Sequence, residues 1–366
     1  MRRARTLVMA STLLAASLAG LGAASDASAA GQPRTVEAAT KGAVIGFTDQ
    51  FIAGNSWLAT LAKGAELYGK KEGVKVIAED AAGNPSTQLS QIQTFINEHV
   101  KAIIIEPVNA ESPGPGIAAA KRAGIPVIVV NDLVAPSLQR QVYCNVTDND
   151  VKVGVLTGHA VGEATIKKWP KSATINLFVM ALFPKSPTTQ QREKGFLEGF
   201  DAVLKANGGP KVHRIPDQYG QALPDNTLTV MRGVASGNPD INVIFNETDV
   251  VWPSVLEALE GAGLMNAKGE SRNIIVGGYD GGMPEIEQMA KNPKFAMVAT
   301  GLDEPATQAA DAVQEAMDAI AGKPASASCP GNHPMRVVPA GVVTRANAKQ
   351  FIDPALAFAG PPTVSK

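Results

Sequence analysis

The chain has 366 residues, of which 45% are hydrophobic and 18% charged, and its formal net charge is -1. That length accommodates two ordinary domains with sizeable cores. A near-neutral chain offers no basic surface to neutralise phosphates, which argues against nucleic acid as a partner.

The N-terminus reads as an address rather than as part of a fold. Met1-Arg2-Arg3-Ala4-Arg5 precedes an alanine-rich apolar run over residues 7–21, and Ala27-Ser28-Ala29 supplies small residues at the spacing signal peptidase reads. Ser, Thr and Gly interrupt the run, so it is expected to be an export signal cleaved near Ala29 and not a membrane anchor. Residues 30–41 follow as a flexible lead-in. The two cysteines, Cys144 and Cys329, would meet an oxidising compartment, as one disulfide or as two buried thiols.

From Lys41 onward short apolar runs alternate with helical spacing. Strands are expected at 44–47, 74–78, 102–105, 125–130 and 142–146. Helices are expected between them: 54–73, where Trp57, Leu58, Leu61, Ala65 and Tyr68 form a stripe closed by Gly73; 86–98, with Leu89, Ile92 and Ile96; and 112–123. The pattern then restarts with a helix at 149–167, a strand at 173–179, a helix at 189–206 and a short strand at 212–215. A helix at 225–236, a strand at 241–245, a helix at 252–261 and strands at 274–279 and 295–299 follow. A long helix over 304–320 tolerates Pro305 in its first turn. This alternation specifies right-handed βαβ units, hence an α/β protein of two similar doubly wound parallel-sheet lobes. The tail, 353–366, carries Gly360-Pro361-Pro362 and reads as loose.

In such sheets ligands bind beyond the carboxyl ends of the strands. Ile274-Ile275-Val276-Gly277-Gly278-Tyr279-Asp280-Gly281-Gly282 displays one acid at such an end, where Asp280 either contacts a ligand or caps the helix that starts near Met283. No P-loop, dinucleotide Gly-x-Gly-x-x-Gly, nucleophile elbow, Cys-x-x-Cys or His-Glu-x-x-His occurs. The four histidines, His99, His159, His213 and His333, are scattered, with none at ligand spacing. Neither catalysis, nor a metal, nor a cofactor is called for.

With these features in place, the chain resembles the ribose-type sugar-binding proteins of ABC importers, the type I periplasmic binding proteins, over residues 42–344. The resemblance rests on Gly64-Ala65-Glu66, on Asp80 with Gly83-Asn84-Pro85, and on Ala123-Gly124-Ile125-Pro126-Val127-Ile128. It continues through Arg192-Glu193-Lys194-Gly195-Phe196, Asn238-Pro239-Asp240 and Gly278-Tyr279-Asp280-Gly281. It implies lobes joined by a three-segment hinge, the first at 42–144 plus 302–334 and the second at 145–301 plus 335–352. Cys144 and Cys329 then fall beside crossings, where a disulfide is expected.

Sugars present hydroxyls at their edges and C–H groups on their faces, so a site needs charged or polar partners and aromatic surfaces. The resemblance assigns Asn55, Trp57 and Leu58 to a loop opening the first helix, with Asn55 bonding a hydroxyl and Trp57 stacking. Glu106 stands at a polar position after the third strand. Asn131 and Asp132 fall on the family's usual Asp-Arg pair, a departure, since the acid is displaced by one and the arginine is absent. In the second lobe Arg192 matches the binding arginine and Asp280 the binding aspartate, while Thr248 takes the place of an asparagine. Trp252 and Tyr219 are further stacking candidates, and Thr300-Gly301 replaces a usual glutamine. The expected function is capture of a monosaccharide, polyol or sugar acid by a monomer that delivers it to an ABC permease. The alternatives are a sensor presenting its bound form to a membrane receptor kinase and, less favoured, an exported enzyme on a related scaffold.

Overall fold

Runs such as Ala102-Ile103-Ile104-Ile105 and Val127-Ile128-Val129-Val130 have no polar face, so they are stable only where both sides are covered. In the computed structural model, which describes residues 35–325, 329 and 335–352, these runs are the buried centre of a sheet with helices on both faces. The expected export signal at 1–29 and the tail at 353–366 lie outside the described residues.

In chain order the first lobe contains α1 (Val36–Thr40), β1 (Val44–Asp49), α2 (Ser56–Lys71), β2 (Lys75–Asp80), α3 (Pro85–Asn97) and β3 (Ala102–Ile105). It continues with α4 (Gly114–Arg122), β4 (Val127–Val130), α5 (Pro136–Gln139) and β5 (Cys144–Thr147). The second lobe has α6 (Asp150–Lys168), β6 (Thr174–Ala181), α7 (Pro187–Asn207), β7 (Lys211–Arg214), β8 (Gln218–Tyr219) and α8 (Pro224–Gly237). Then come β9 (Ile241–Asn246), α9 (Trp252–Gly261), β10 (Ile275–Asp280), α10 (Met283–Lys291) and β11 (Met297–Leu302). α11 (Pro305–Ile320) and β12 (Met335–Val337) return to the first lobe, and β13 (Gly341–Thr344) with a short helix at Ala348–Phe351 ends in the second. The lead-in expected at 30–41 is helical over α1, capped by the Thr35 hydroxyl.

The sheet orders are β12-β5-β4-β3-β1-β2 and β13-β11-β10-β9-β6-β7, with β8 also pairing β6. All ladders are parallel except β13 on β11. Each sheet reverses its winding around its first strand, β1 or β6, and a crevice opens at that switch point.

The chain crosses between sheets three times, and all three expected boundaries move. Leu302, expected to open the first lobe's second segment, ends β11 in the second lobe's sheet, where it pairs with Gly341. β5 was expected to end the first lobe at Cys144, yet it runs to Thr147, and residues 335–337 were expected in the second lobe but form β12 in the first. The cause is mutual: Met335, Arg336 and Val337 pair in parallel with Asn145, Val146 and Thr147, so each strand extends the other. The crossings therefore lie between Thr147 and Asp150, Leu302 and Pro305, and Val337 and Gly341. Cys144 and Cys329 are joined by a disulfide with Cα atoms 5.8 Å apart, buried in the first lobe's core. It ties the segment beyond α11 to β5 without linking one lobe to the other.

Helices α6 and α7 touch backbone to backbone. A Cβ on Gly158 would sit 2.0 Å from the Phe196 carbonyl oxygen, and one on Gly195 2.2 Å from that of Val151. This approach carries Arg192, one turn before Gly195, against the first turn of α6.

Candidate ligand-binding cleft

The strand ends of the two sheets face each other across a cavity of about 40 Å3 lined by side chains of both lobes. That is room for roughly one or two waters. Wider apolar pockets of about 400 and 330 Å3 flank it and share Phe183 with it. A larger solute enters the centre only if the lobes part.

On the first lobe, β1 delivers Gln50, and Asn55 begins α2. The Asn55 side-chain oxygen accepts from the amides of Trp57 at 2.9 Å and Leu58 at 3.1 Å, so it caps the helix while lining the cleft. Its side-chain NH2 is not needed for the cap. Trp57 and Leu58 also line the cleft, and the Trp57 indole donates to the Asp303 carbonyl at 3.0 Å. After β4, Asn131 adopts φ 63°, a left-handed turn that asparagine tolerates, and presents Asp132. Asp132 accepts from Gln50 Nε2 at 3.3 Å and, from the other lobe, from the Thr188 hydroxyl at 2.6 Å.

The second lobe is organised by Arg192, which is buried and lies 3.8 Å over the Tyr279 ring. Its Nε donates to Asp150 at 2.8 Å, one Nη1 hydrogen to the Glu247 carbonyl at 2.9 Å, the other to Asp280 at 3.1 Å, and Nη2 to Asp303 at 2.9 Å. A guanidinium has five N–H groups, so one Nη2 hydrogen is left for a solute. Asp280 ends β10 with φ 98°, an unfavourable backbone for a residue with a Cβ. Such strain costs on the order of 1–3 kcal/mol and persists where the surroundings over-determine it. Here Arg192 holds one oxygen of Asp280 and the Thr248 hydroxyl donates to the other at 2.5 Å.

Carboxyl groups outnumber the one buried guanidinium. Burial pushes the Asp280 carboxyl up to about 6 against the opposing pull of Arg192. Burial, with Asp148 adding, lifts Asp150 to about 7. Asp303 is driven well above the usual carboxylate range, first by burial and then by Asp148. The Tyr279 hydroxyl bridges Asp148 at 2.7 Å and Asp150 at 3.0 Å, which orients the acids under Arg192.

Asn55, Trp57, Leu58, Asn131, Asp132, Arg192, Thr248 and Asp280 thus surround one cavity. Three expected contacts lie elsewhere. Trp252 is 4% exposed in the second lobe's core, edge-on to Phe295 at 5.8 Å, because the first turn of α9 faces the sheet. Tyr219 is 41% exposed in the two-residue strand β8 and away from the cavity lining. Glu106 is fully buried beneath the cleft, where it accepts from Gln50 Nε2 at 3.0 Å and Asn131 Nδ2 at 3.1 Å. Burial, followed by Asp132 and Asp49, holds its carboxyl well above the ordinary range. It supports the residues that reach the cavity. Gln50, Leu182, Phe183, Ala222 and Asp303 complete the lining, none of them singled out from the sequence.

A model of the periplasmic binding protein domain matches residues 51–324. The chain belongs to that family. It is 27% identical over 268 residues to the ribose import binding protein of Bacillus subtilis, covering 70% of this chain and 77% of that one. It is 28% identical over 211 residues to the xylitol-binding protein of Mycolicibacterium smegmatis, covering 57% and 56%. Among solved structures it is similar to an ABC transporter solute-binding protein from Mycobacterium smegmatis with bound glycerol, with a TM-score of 0.71, 20% identity, and 85% and 97% of the two chains covered. A periplasmic solute-binding protein from Actinobacillus succinogenes with bound D-allose gives a TM-score of 0.70 at 23% identity, with 84% and 99% covered. Both structures share the two-lobed fold. The family is one of non-enzymatic solute-binding proteins.

Proposed function

We propose that this chain captures one neutral polyhydroxylated solute, a monosaccharide or polyol, between its lobes and delivers it to an ABC permease. The observation that carries this reading is the imbalance of the cleft. Asp132, Asp280 and Asp303 line it beside a single cation, Arg192, that has one donor hydrogen left. Carboxylates accept from hydroxyls, and such charge-assisted bonds are among the stronger ones. Trp57 and Phe183 supply apolar faces against which C–H groups can stack. A sugar acid would bring its own carboxylate against those of Asp132 and Asp280, with Arg192 already bonded to Asp280, so that part of the expected solute range is disfavoured by charge. The ribose- and xylitol-binding relatives support a sugar or polyol as the cargo.

The working cycle is hinge closure. A solute that touches Asp132 on one lobe and Asp280 on the other binds the closed form better than the open one and shifts the population accordingly. The Asp132–Thr188 contact adds a direct clasp between lobes. The protein works as a monomer in the periplasm after export and cleavage near Ala29. A thermal-shift screen against sugars, polyols and sugar acids tests the solute class, since a ligand that binds only the folded state raises the melting temperature. Neutral polyhydroxyl compounds should raise it. A shift produced by sugar acids alone would sink the reading.

A further inference from the structure

At the opposite end of the second lobe from the cleft, an open pocket of about 810 Å3 lies beside the starts of β10 and β11. Its lining includes five cations, Lys167, Lys168, Arg272, Lys294 and Arg345, and one carboxylate, Glu270. The cations come from four places in the chain: the end of α6, the segment before β10, the segment before β11, and the turn after β13. A helix terminus favours basic residues in its last turn, which accounts for Lys167 and Lys168. It does not account for the other three.

The way these groups are held matters more than their number. Arg192, Arg214, Arg232 and Arg336 each meet a carboxylate. The pocket's anchored cations instead meet backbone carbonyls: Arg345 Nη2 donates to Phe295 and Lys168 Nζ to Ile274 at 3.5 Å. A carbonyl positions a cation without cancelling its charge. The one acid, Glu270, accepts from Asn266 at 3.0 Å and is held below its ordinary value first by that bond and then, more weakly, by neighbours that include Lys294, so it offsets part of that lysine's charge. Lys168 is held below its ordinary value by burial and then by Arg345, as expected for two like charges crowded without a counter-ion.

We propose that this pocket binds a phosphate-bearing anion, free in solution or carried as the headgroup of an acidic lipid. Two guanidinium forks match the planar, bidentate geometry of phosphate oxygens, and several converging cations suit a multiply charged group better than a lone carboxylate. The site is separate from the solute cleft, and its occupancy is independent of the cargo.

The test is calorimetric titration of the full chain with inorganic pyrophosphate, run beside cosedimentation with phosphatidylcholine vesicles with and without phosphatidylglycerol. Saturable pyrophosphate binding is expected, weakened by added salt. The variant with Arg272→Glu and Lys294→Glu, two side chains that hold no backbone carbonyl, should lose about tenfold or more in affinity while its melting temperature stays near the parent's. Lys101→Glu, on the first lobe, should bind like the parent. Arg272→Gln alone should weaken binding by about threefold, which keeps the test open if the double variant folds poorly. Sedimentation with phosphatidylglycerol vesicles but no pyrophosphate heat would identify the lipid as the source of the same chemistry. No saturable pyrophosphate binding together with no preference for the acidic vesicles would overturn the proposal. So would a double variant that binds as the parent does.

Discussion

Replacing Arg192 with methionine removes the charge and every donor while keeping a side chain of comparable reach. Three carboxyl groups, Asp150, Asp280 and Asp303, then lose their cation at once, and the Glu247 carbonyl loses its donor. Breaking a buried pair by deleting one partner costs about 3–5 kcal/mol, because the remaining charge is left without compensation. Urea denaturation of Arg192→Met at pH 7.5 should show a loss of that size. The loss should shrink at pH 5.5. Asp150 and Asp280 already sit at about 7 and about 6 with the arginine present. Without it both move higher, so at the lower pH the orphaned groups hold protons and the uncompensated charge disappears. Arg192→Lys should fall between the two, since an ammonium keeps the charge but cannot span acceptors arranged around a planar fork. If Arg192→Met were as stable as the parent at pH 7.5, or lost the same amount at both pH values, the electrostatic account of this site would be wrong.

In the parent protein, Asp49, Asp150, Asp280 and Glu285 stand at about 8, 7, 6 and 7, all raised chiefly by burial. The folded state therefore binds more protons than the unfolded chain from the ordinary carboxylate range up to those values, and the urea midpoint should fall as pH rises through that window. Each extra proton held corresponds to about 1.4 kcal/mol per pH unit. Gly158→Ala should force α6 and α7 apart at a contact that leaves no room for a methyl group, lowering the melting temperature and loosening the placement of Arg192. Reducing the Cys144–Cys329 bridge opens a loop closed over a separation of 185 residues, with an upper entropic cost of about 5 kcal/mol. The unfolding midpoint measured with reductant should drop accordingly, without abolishing solute binding, since the bridge lies within one lobe.

The alternation of continuous apolar runs with helical stripes was legible because each half buries both faces of a parallel sheet, which leaves little freedom in the pattern. The rule that ligands meet carboxyl strand ends also led to residues that line the cavity: Asn131 and Asp132 after β4, Thr248 after β9 and Asp280 at the end of β10. What the rule cannot supply is the last residue of a strand. β6 continues to Ala181, two residues past its expected end, which moves the cleft-lining position to Leu182 and Phe183. β11 likewise runs beyond its expected end at Ala299, through Thr300-Gly301 to Leu302, which puts Asp303 at the cleft. Trp252 shows the opposite error, because an aromatic in a first helical turn looks the same in sequence whether it faces a cleft or a core. Thr188 carries no sequence signal at all. Its reach to Asp132 exists only when the two lobes face each other.

Calorimetric titration of a neutral monosaccharide or polyol selected by the thermal-shift screen, into the parent and into Asp280→Ala, tests the central claim most directly. The parent should bind one solute per chain. Loss of the Asp280 carboxylate removes a charge-assisted hydrogen bond of about 1.5–3 kcal/mol, so the variant should bind about ten- to a hundredfold more weakly while remaining folded. Unchanged affinity in folded Asp280→Ala would contradict the account.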